Sequence, residues 1–370
     1  MKELIKKYWN NLKLEYKNKY GELILTSYET SKPFVEKFKV YLEKNLKEDP
    51  CNVDIVCALA TIMQELADNL DSVKLLEDFI KTYEEKLSDT NKARIYTNLA
   101  FYNAKCKEEI QYLLEAEKLK SPFIETYKGL GLSYFSKYQF DKNTANLEKS
   151  LIVFEKALEI NNDNYEMMFG YGVCLFEFKR FKEAKEVFEK LLIKYPNRMR
   201  LLLSIAYCEI CLENREKAVF YLKQVKDGED KNYHLSTDDI EDCQIYDAYY
   251  VLEEYESFIE LSEKVIFDYC QSNRYTYYYA LWVTKQYTKF NEAIAKNQQK
   301  ILSWIEETKV NENYTDEEDR LECIKSYQED LEILIQMEHK IKNENYKPIE
   351  KLNLYPEYGC YLVDCIRHNF

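Results

Sequence analysis

Apolar side chains recur every three or four residues along most of the chain, which is the spacing of one face of an amphipathic α-helix. The clearest stretch runs from Tyr165 to Pro196, where two such segments are separated by a short polar turn. Pro196 is expected to end the second segment because proline cannot continue a helix. This stretch therefore predicts a helical hairpin in which each helix buries one apolar stripe.

Small residues indicate how the two helices of this hairpin meet. Gly172 in a helix interior costs about 1 kcal/mol relative to alanine, and a close approach of the second helix at Ala184 would explain its presence. The pattern resembles the tetratricopeptide repeat, a unit of 34 residues in which small residues let two helices touch and a proline closes the unit. The residues that carry the resemblance are Gly172, Phe181, Ala184, Phe188 and Pro196.

The same pattern recurs with the repeat period on both sides of the hairpin. A matching unit follows around Ala218, a degenerate one around Phe258 and another around Phe290, and one precedes the hairpin around Gly131 and Ala157. At least three such units are needed before a solenoid covers its own core. The resemblance therefore implies an all-α fold, a right-handed α-α superhelix of the tetratricopeptide type.

The periodicity divides the chain into three predicted parts. Residues 1–122 are expected to form helical hairpins, which are either drifted repeats or a plain helical bundle. Residues 123–302 are expected to form the repeat array. Residues 303–370 are expected to form a long capping helix and a closing tail. Thr315 and Glu318 fit a capping box that opens this helix, which would shield the last repeat.

The expected inward side chains of that long helix include Leu321, Leu334 and Ile341. The tail that follows ends in the apolar run CYLVDCI, which would allow it to dock as a closing element.

Composition agrees with a helical protein with short connections. The chain has 370 residues, of which 46% are hydrophobic, and only seven glycines and six prolines for turns. It contains no apolar run long enough to span a membrane and no signal-type apolar block, so we expect a soluble cytoplasmic protein. The eleven cysteines are scattered among helical stripes and are expected to be reduced thiols.

The net charge of −14 bears on the choice of partner. A phosphate backbone would be repelled, so nucleic-acid binding is not expected, whereas a basic protein or peptide would be attracted. The alternative is that the acidic surface only keeps a long solenoid soluble.

Candidate catalytic and metal-binding residues are few. Cys208 and Cys211 form a C-x-x-C pair within one predicted helix, which favours buried side chains over a redox site. Cys360, Cys365 and His368 offer three possible zinc ligands, but C-x4-C-x2-H is not a usual structural spacing and a fourth ligand is missing. We therefore predict no metal, no cofactor and no enzymatic activity.

Aromatic residues supply the predicted binding surface. In the register of the repeat, a row of them would face the inner curve of the superhelix and grip a peptide or a helix. The alternative is that several pack between neighbouring repeats. The predicted partner-binding residues are Phe169, Phe176, Tyr207, Tyr250, Tyr275, Tyr278 and Trp282.

Three functions are compatible with these features. The first is a non-catalytic scaffold that binds a protein or peptide segment in the concave groove, and it is the one we favour. The second is a bacterial immunity or antitoxin protein that neutralises a basic toxin. The third is a regulator resembling helical-repeat receptors of signal peptides, although no DNA-reading motif is evident at the amino terminus.

The carboxylate clamp of chaperone-binding repeats is not matched, because Leu132 replaces an asparagine beside Lys128. The oligomeric state stays open.

Overall fold

The computed structural model contains seventeen α-helices, a single 3-10 turn and no β-strand within the residues that it describes. The predicted all-α fold is confirmed. The described residues are 1–25, 27–66, 69–104, 107–227, 242–264, 275–311, 314 and 316–368.

The chain packs into two compact units, the first comprising Met1–Arg180 with Tyr355–Phe370 and the second comprising Phe181–Leu354. The predicted three-part division follows the repeat pattern instead of packing and stays a prediction. The helices of the first unit are α1 (Lys2–Tyr20), α2 (Tyr28–Glu48), α3 (Val53–Glu65), α4 (Asn69–Tyr83), α5 (Asp89–Tyr102), α6 (Lys107–Lys118), α7 (Ile124–Asp141), α8 (Thr144–Ile160) and α9 (Tyr165–Glu177).

Helices of the first unit pack in the manner of a helical repeat. Each helix contacts the next one along the chain, and α3 also contacts α5, α5 contacts α7, and α7 contacts α9. Paired helices whose first members stack on one another are the arrangement that repeat proteins use to build a continuous core. The odd-numbered helices α3 to α9 are the first members of these pairs.

Side chains at the helix ends explain several of the boundaries. The amide oxygens of Asn52 and Asn164 accept hydrogen bonds from Ile55 N at 3.2 Å and Met167 N at 3.0 Å, which caps α3 and α9. Gly21 ends α1 with a φ of 74°, a left-handed conformation that glycine adopts without strain.

Phe154 of α8 inserts its ring against glycines on two neighbouring helices. A Cβ atom at Gly131 of α7 or at Gly170 of α9 would lie 2.7 Å from this ring, so both positions require glycine. The sequence predicted that Gly131 meets Ala157, but its nearest neighbour is Phe154, three residues earlier on the same helix. The predicted close approach of α7 and α8 is therefore correct, although a ring and not a methyl group fills the space.

The second predicted pair of small residues has one member in each unit. Gly172 is buried in α9 of the first unit and Ala184 is buried in α10 of the second. Their predicted contact stays a prediction.

The second unit repeats the same arrangement. Within it, α11 packs between α10 and α12 and also contacts α13, while α15 contacts α14 and α16. Its helices are α10 (Phe181–Lys194), α11 (Met199–Cys211), α12 (Arg215–Asp227), α13 (Asp242–Val251), α14 (Tyr255–Lys264), α15 (Tyr275–Val283), α16 (Tyr287–Val310) and α17 (Glu317–Glu344).

The predicted long capping helix is confirmed as α17, which packs on α15 and α16. The Asp316 carboxylate caps it by accepting a hydrogen bond from Glu318 N at 2.8 Å, whereas Thr315 lies outside the described residues. Leu334 and Ile341 are buried as expected. Leu321 is 57% exposed, so its predicted burial is wrong: the first turns of α17 do not bury this side of the helix.

Candidate functional site

An extended chain segment lies across the first helices of the repeat pairs in the first unit. This tail segment comprises residues 355–368, which follow α17 in sequence and form no helix or strand. It contacts residues of α9 and α7 first, then α5, and finally α3 and α1, so it runs opposite to the order of the helices. We call the contacted surface of these helices the tail face.

Side chains of the tail face pair with main-chain groups of the tail segment. Asn98 accepts a hydrogen bond from Val363 N at 2.9 Å, and Trp9 donates its indole N–H to Ile366 O at 3.1 Å. An extended segment has no helical partners for its amides and carbonyls, so the surface beneath it must supply them. Part of the docking of the tail segment therefore depends on its backbone and not on its side chains.

Lys128 of α7 supplies the third backbone contact. Its ammonium donates to Cys360 O at 3.2 Å and pairs with the Glu166 carboxylate at 2.6 Å, while its side chain is only 6% exposed. A Cβ atom at Gly359 would lie 2.9 Å from the Lys128 Nζ atom, so glycine at this position lets the tail approach the buried charge.

Tyr361 anchors the centre of the tail segment. Its ring meets the Phe101 ring edge-on with 5.1 Å between centroids, and its hydroxyl donates to Glu109 Oε1 at 2.8 Å. A Cβ atom at Gly129 would lie 3.0 Å from the same ring, so this glycine leaves room for it. Burial and the Glu109 carboxylate raise the pKa of Tyr361, and the phenol stays protonated.

Charged side chains hold the end of the tail segment. The Asp364 carboxylate pairs with Lys2 and, at 3.4 Å, with Arg94, whose guanidinium also binds Asp54 at 2.7 Å. Arg94 is 6% exposed, and these two carboxylates balance its buried charge.

Two further charged groups lie near this cluster. Arg367 pairs with Glu65 of α3. Burial, together with the charges of Asp364 and Glu166, raises the pKa of Glu125.

The predicted aromatic row is mostly buried. Phe169, Phe176, Tyr207, Tyr250 and Tyr278 are each at most 5% exposed, whereas Tyr275 and Trp282 are half-buried. Buried side chains of this kind fit the alternative that such aromatics pack within and between repeats. Tyr275 and Trp282 are therefore the members of the row that keep a partly exposed side chain.

Hydrogen bonds fix two of the buried members within the second unit. The Tyr278 hydroxyl accepts from the Asn297 amide at 2.9 Å, and the Tyr250 hydroxyl donates to Pro348 O at 2.7 Å. The Trp282 ring packs on Tyr287 and Phe290, with centroid distances of 4.7 and 5.3 Å.

The residues after α17 that belong to the second unit bind α13 and the loop behind it. Lys347 pairs with Glu253 at 2.6 Å and lies over the Tyr250 ring, 5.7 Å from its centroid. Burial and the neighbouring charge of Glu350 raise the pKa of Asp247 to about 8.

The C-x-x-C pair lies in a helix, in surroundings that disfavour thiolates. Cys208 is buried in α11 and Cys211 lies one turn later. Burial raises the pKa of both thiols, that of Cys211 to about 11, so neither is a thiolate at neutral pH.

Sequence reasoning missed the tail face. Arg94 and Asn98 of α5 are buried polar residues, and Lys128 of α7 is a third, yet the pattern of apolar residues gave them no role. One signal was available, namely the apolar run after Gly359, which has no helical period and needs a surface to cover it.

No helix among the described residues is both long enough and apolar enough to cross a bilayer.

Comparison with known proteins identifies the repeat. Residues 148–206 match the tetratricopeptide repeat family, which confirms the resemblance predicted from Gly172 and Ala184. No curated protein sequence matches the chain.

Similar solved structures include helical-repeat proteins. The protein YrrB, described as a tetratricopeptide repeat protein with an unusual peptide-binding site, is 17% identical, with a TM-score of 0.42 over 50% of this chain and 91% of its own. PilF of Pseudomonas aeruginosa is 21% identical, with a TM-score of 0.44 over 61% of this chain and 92% of its own. A tetratricopeptide repeat protein from Parabacteroides merdae is 11% identical, with a TM-score of 0.42 over 89% of this chain and 99% of its own.

Proposed function

Because the chain is a helical-repeat protein with tetratricopeptide repeats at residues 148–206, we propose that it is a non-catalytic scaffold for protein–protein interaction. Its partner contributes an extended segment that binds along the tail face in place of the tail segment. Binding of this kind needs shape, backbone hydrogen bonds and charge, and no reacting group.

The observation that carries this proposal is the tail segment itself. Residues 355–368 are a polypeptide without helix or strand, extended as far as Leu362 and turning from Val363 onward, and Asn98, Trp9 and Lys128 bind its main-chain atoms. Another extended segment whose side chains fit the surface can make the same hydrogen bonds with its own backbone. The tail segment therefore serves as a tethered competitor that a partner must displace.

A basic partner suits the charges of this surface. Glu65 binds Arg367 of the tail segment and Glu109 binds Tyr361, so an arginine or lysine of a partner segment would find carboxylates in the same places. The net charge of −14 adds long-range attraction. An immunity protein that neutralises a basic toxin would use the same complementarity.

Tyr275 and Trp282 remain candidates for partner contact in the second unit, since both are half-exposed aromatic side chains. We also propose that the protein is cytosolic. Eight cysteines among the described residues are free thiols, and a reducing compartment such as the cytosol keeps thiols in this state.

A peptide titration tests the scaffold proposal. The probe is a fluorescent peptide with the sequence of residues 355–368, added under reducing conditions to the full chain and to its Asp364→Ala/Arg367→Ala variant. The variant loses tail contacts to Lys2, Arg94 and Glu65 while the tail face stays intact. A tethered segment acts at an effective concentration on the order of millimolar, so weakening it should tighten peptide binding by about tenfold or more.

Lys351→Ala is the matched control, because it removes an exposed charge from the same connection outside the tail segment. Circular dichroism establishes that each variant is folded. A folded variant that binds the peptide no better than the unmodified chain would refute a tail face open to other segments.

A further inference from the structure

We propose that Cys360, Cys365 and His368 form a zinc site at the end of the tail segment. Their possible ligand atoms lie within 4.8 Å of one another. The spacing of these residues in sequence argued against a metal, because it matches no usual structural pattern. The fold brings them together nevertheless, and this inference does not depend on the proposed scaffold function.

The backbone explains how the ligands come together although four residues separate Cys360 from Cys365 and two separate Cys365 from His368. Asp364 has a φ of 57°, a left-handed conformation that reverses the chain just before Cys365. The next residues form a turn in which His368 N donates to Cys365 O at 3.2 Å. Ion pairs of Asp364 with Lys2 and Arg94 hold the reversal in place.

One of the two sulfur atoms accepts a hydrogen bond from the backbone. Leu362 N donates to Cys360 Sγ at 3.5 Å. An amide aimed at sulfur orients it, which is the support that metal-bound cysteines receive from their surroundings.

The donor set selects the class of metal. Two thiolates and an imidazole suit zinc, which stands about 2.3 Å from sulfur and about 2.1 Å from nitrogen in a tetrahedral site. Donors in such a site are about 3.5–3.8 Å apart, so these three need to close by about 1 Å or less.

The accessibility of the ligands defines the fourth position. Cys365 is 1% exposed and Cys360 is half-buried, whereas His368 is exposed. Three protein ligands with one exposed side leave a position for water or for a donor from another molecule, as in zinc sites that are not closed by protein.

A metal at this position would stabilise the docked tail segment. It would link residue 360 to residue 368 around Val363 and Ile366, whose main-chain groups bind Asn98 and Trp9. The loop so closed is short, and its docked form is the one in which the ligands converge.

Cobalt titration of the full chain tests the site under reducing conditions. One Co²⁺ per chain should produce the thiolate charge-transfer band and the visible bands of tetrahedral cobalt, and one equivalent of Zn²⁺ should remove them. Cys365→Ser should abolish the charge-transfer band or lower it strongly. His368→Ala, which changes an exposed side chain, should weaken the Zn²⁺ competition constant by about tenfold or more.

Cys51→Ser is the matched control, because Cys51 is a half-buried thiol outside the site and should leave the spectrum unchanged. Zinc should also raise the melting temperature of the unmodified chain by more than that of His368→Ala at the same concentration. A folded chain without these bands would overturn the assignment. Identical cobalt spectra of the unmodified protein, Cys365→Ser and His368→Ala would also overturn it. The peptide titration above reads a different property, so the two proposals fail independently.

Discussion

Glycines in the first helices act through the space they leave for neighbouring rings. Gly131 and Gly170 flank the Phe154 ring from two helices, and each lacks room for a methyl group. Gly129 makes similar room for Tyr361 of the tail segment. The same residue type therefore serves core packing in one place and tail docking in another.

Substituting Gly131 by alanine tests this packing. The new Cβ atom would lie 2.7 Å from the Phe154 ring, and overpacking of this kind costs about 1–3 kcal/mol, against a gain of about 1 kcal/mol from the higher helix propensity of alanine. Urea denaturation should therefore show a lower midpoint with an unchanged slope. Lys137→Ala on the exposed side of α7 is the control and should leave the midpoint nearly unchanged. Equal midpoints for the two variants would contradict the packing described here.

Asp247 gives a pH dependence with a defined sign. Its pKa is raised from 3.8 to about 8, so the folded chain keeps a proton that the unfolded chain releases. This group therefore lowers the stability as the pH rises from about 4 to about 8, and its penalty is complete above that range. Asp247→Asn should raise the free energy of unfolding at pH 8 by on the order of 2 kcal/mol, a value discounted for partial exposure, and leave it unchanged near pH 4.

Glu350→Gln is a matched variant for the same measurement. It removes the neighbouring charge but not the burial, so the pH window of Asp247 should move down without disappearing. If the free energy of unfolding of Asp247→Asn changes with pH in the same way as that of the unmodified protein, the pKa of Asp247 is not raised.

Single residues show how far the sequence could predict contacts. Gly131 was correctly assigned to helix packing, since a glycine inside a helix needs a steric reason. The neighbour of Gly131 was not predicted, because a two-helix pattern cannot tell whether a ring or a methyl group fills the gap. Leu321 was predicted to be buried because the apolar spacing continues to the start of α17. The neighbouring helices do not extend far enough to cover that side chain.

Among the elements, the helices were predictable, and the tail segment was expected to dock, but the surface on which it docks was not predictable. The long helix α17 and the paired helices follow from apolar spacing and end signals, which act within a few residues. The tail segment has no period, and it contacts helices more than two hundred positions away, as between Cys360 and Lys128. Long-range docking of an extended segment leaves no local pattern beyond its apolar residues.

Removing the Asn98 side chain tests how the tail segment is held. Asn98→Ala takes away the acceptor of Val363 N, so the tail segment should leave its face more often. Alkylation of Cys365, which is 1% exposed, should then be faster by about fivefold or more, since this contact is worth about 1 kcal/mol or more. Mass spectrometry of the peptide that contains Cys365 measures the rate.

Thr90→Ala, an exposed position on the same helix, is the control for this experiment and should not alter the rate. If Cys365 reacts equally fast in both variants, the Asn98 contact does not hold the tail segment.

For the whole molecule, charge governs how a partner arrives. With a net charge of −14, association with a lysine- and arginine-rich peptide should slow as salt rises from low to physiological concentration, while dissociation changes little. Stopped-flow fluorescence with this peptide and a glutamate-rich counterpart measures both rates. A salt-independent association rate would contradict the role given to the acidic surface.

The class of the molecule followed from its sequence, whereas the surface on which the tail segment docks did not. The repeat pattern predicted the paired helices, and the match at residues 148–206 confirms it. The predicted aromatic row lies mostly inside, because the repeat register places a side chain on a helix face without telling which neighbour covers that face.

Amide hydrogen exchange of residues 355–368 in the full chain tests the central claim most directly, namely that this extended segment is bound to the tail face. Docked amides such as that of Val363, which has a buried acceptor, should exchange far more slowly than in the free peptide of the same sequence. Asn98→Ala should remove part of this protection. Exchange at the rate of the free peptide throughout the segment would contradict the docked tail and the binding surface inferred from it.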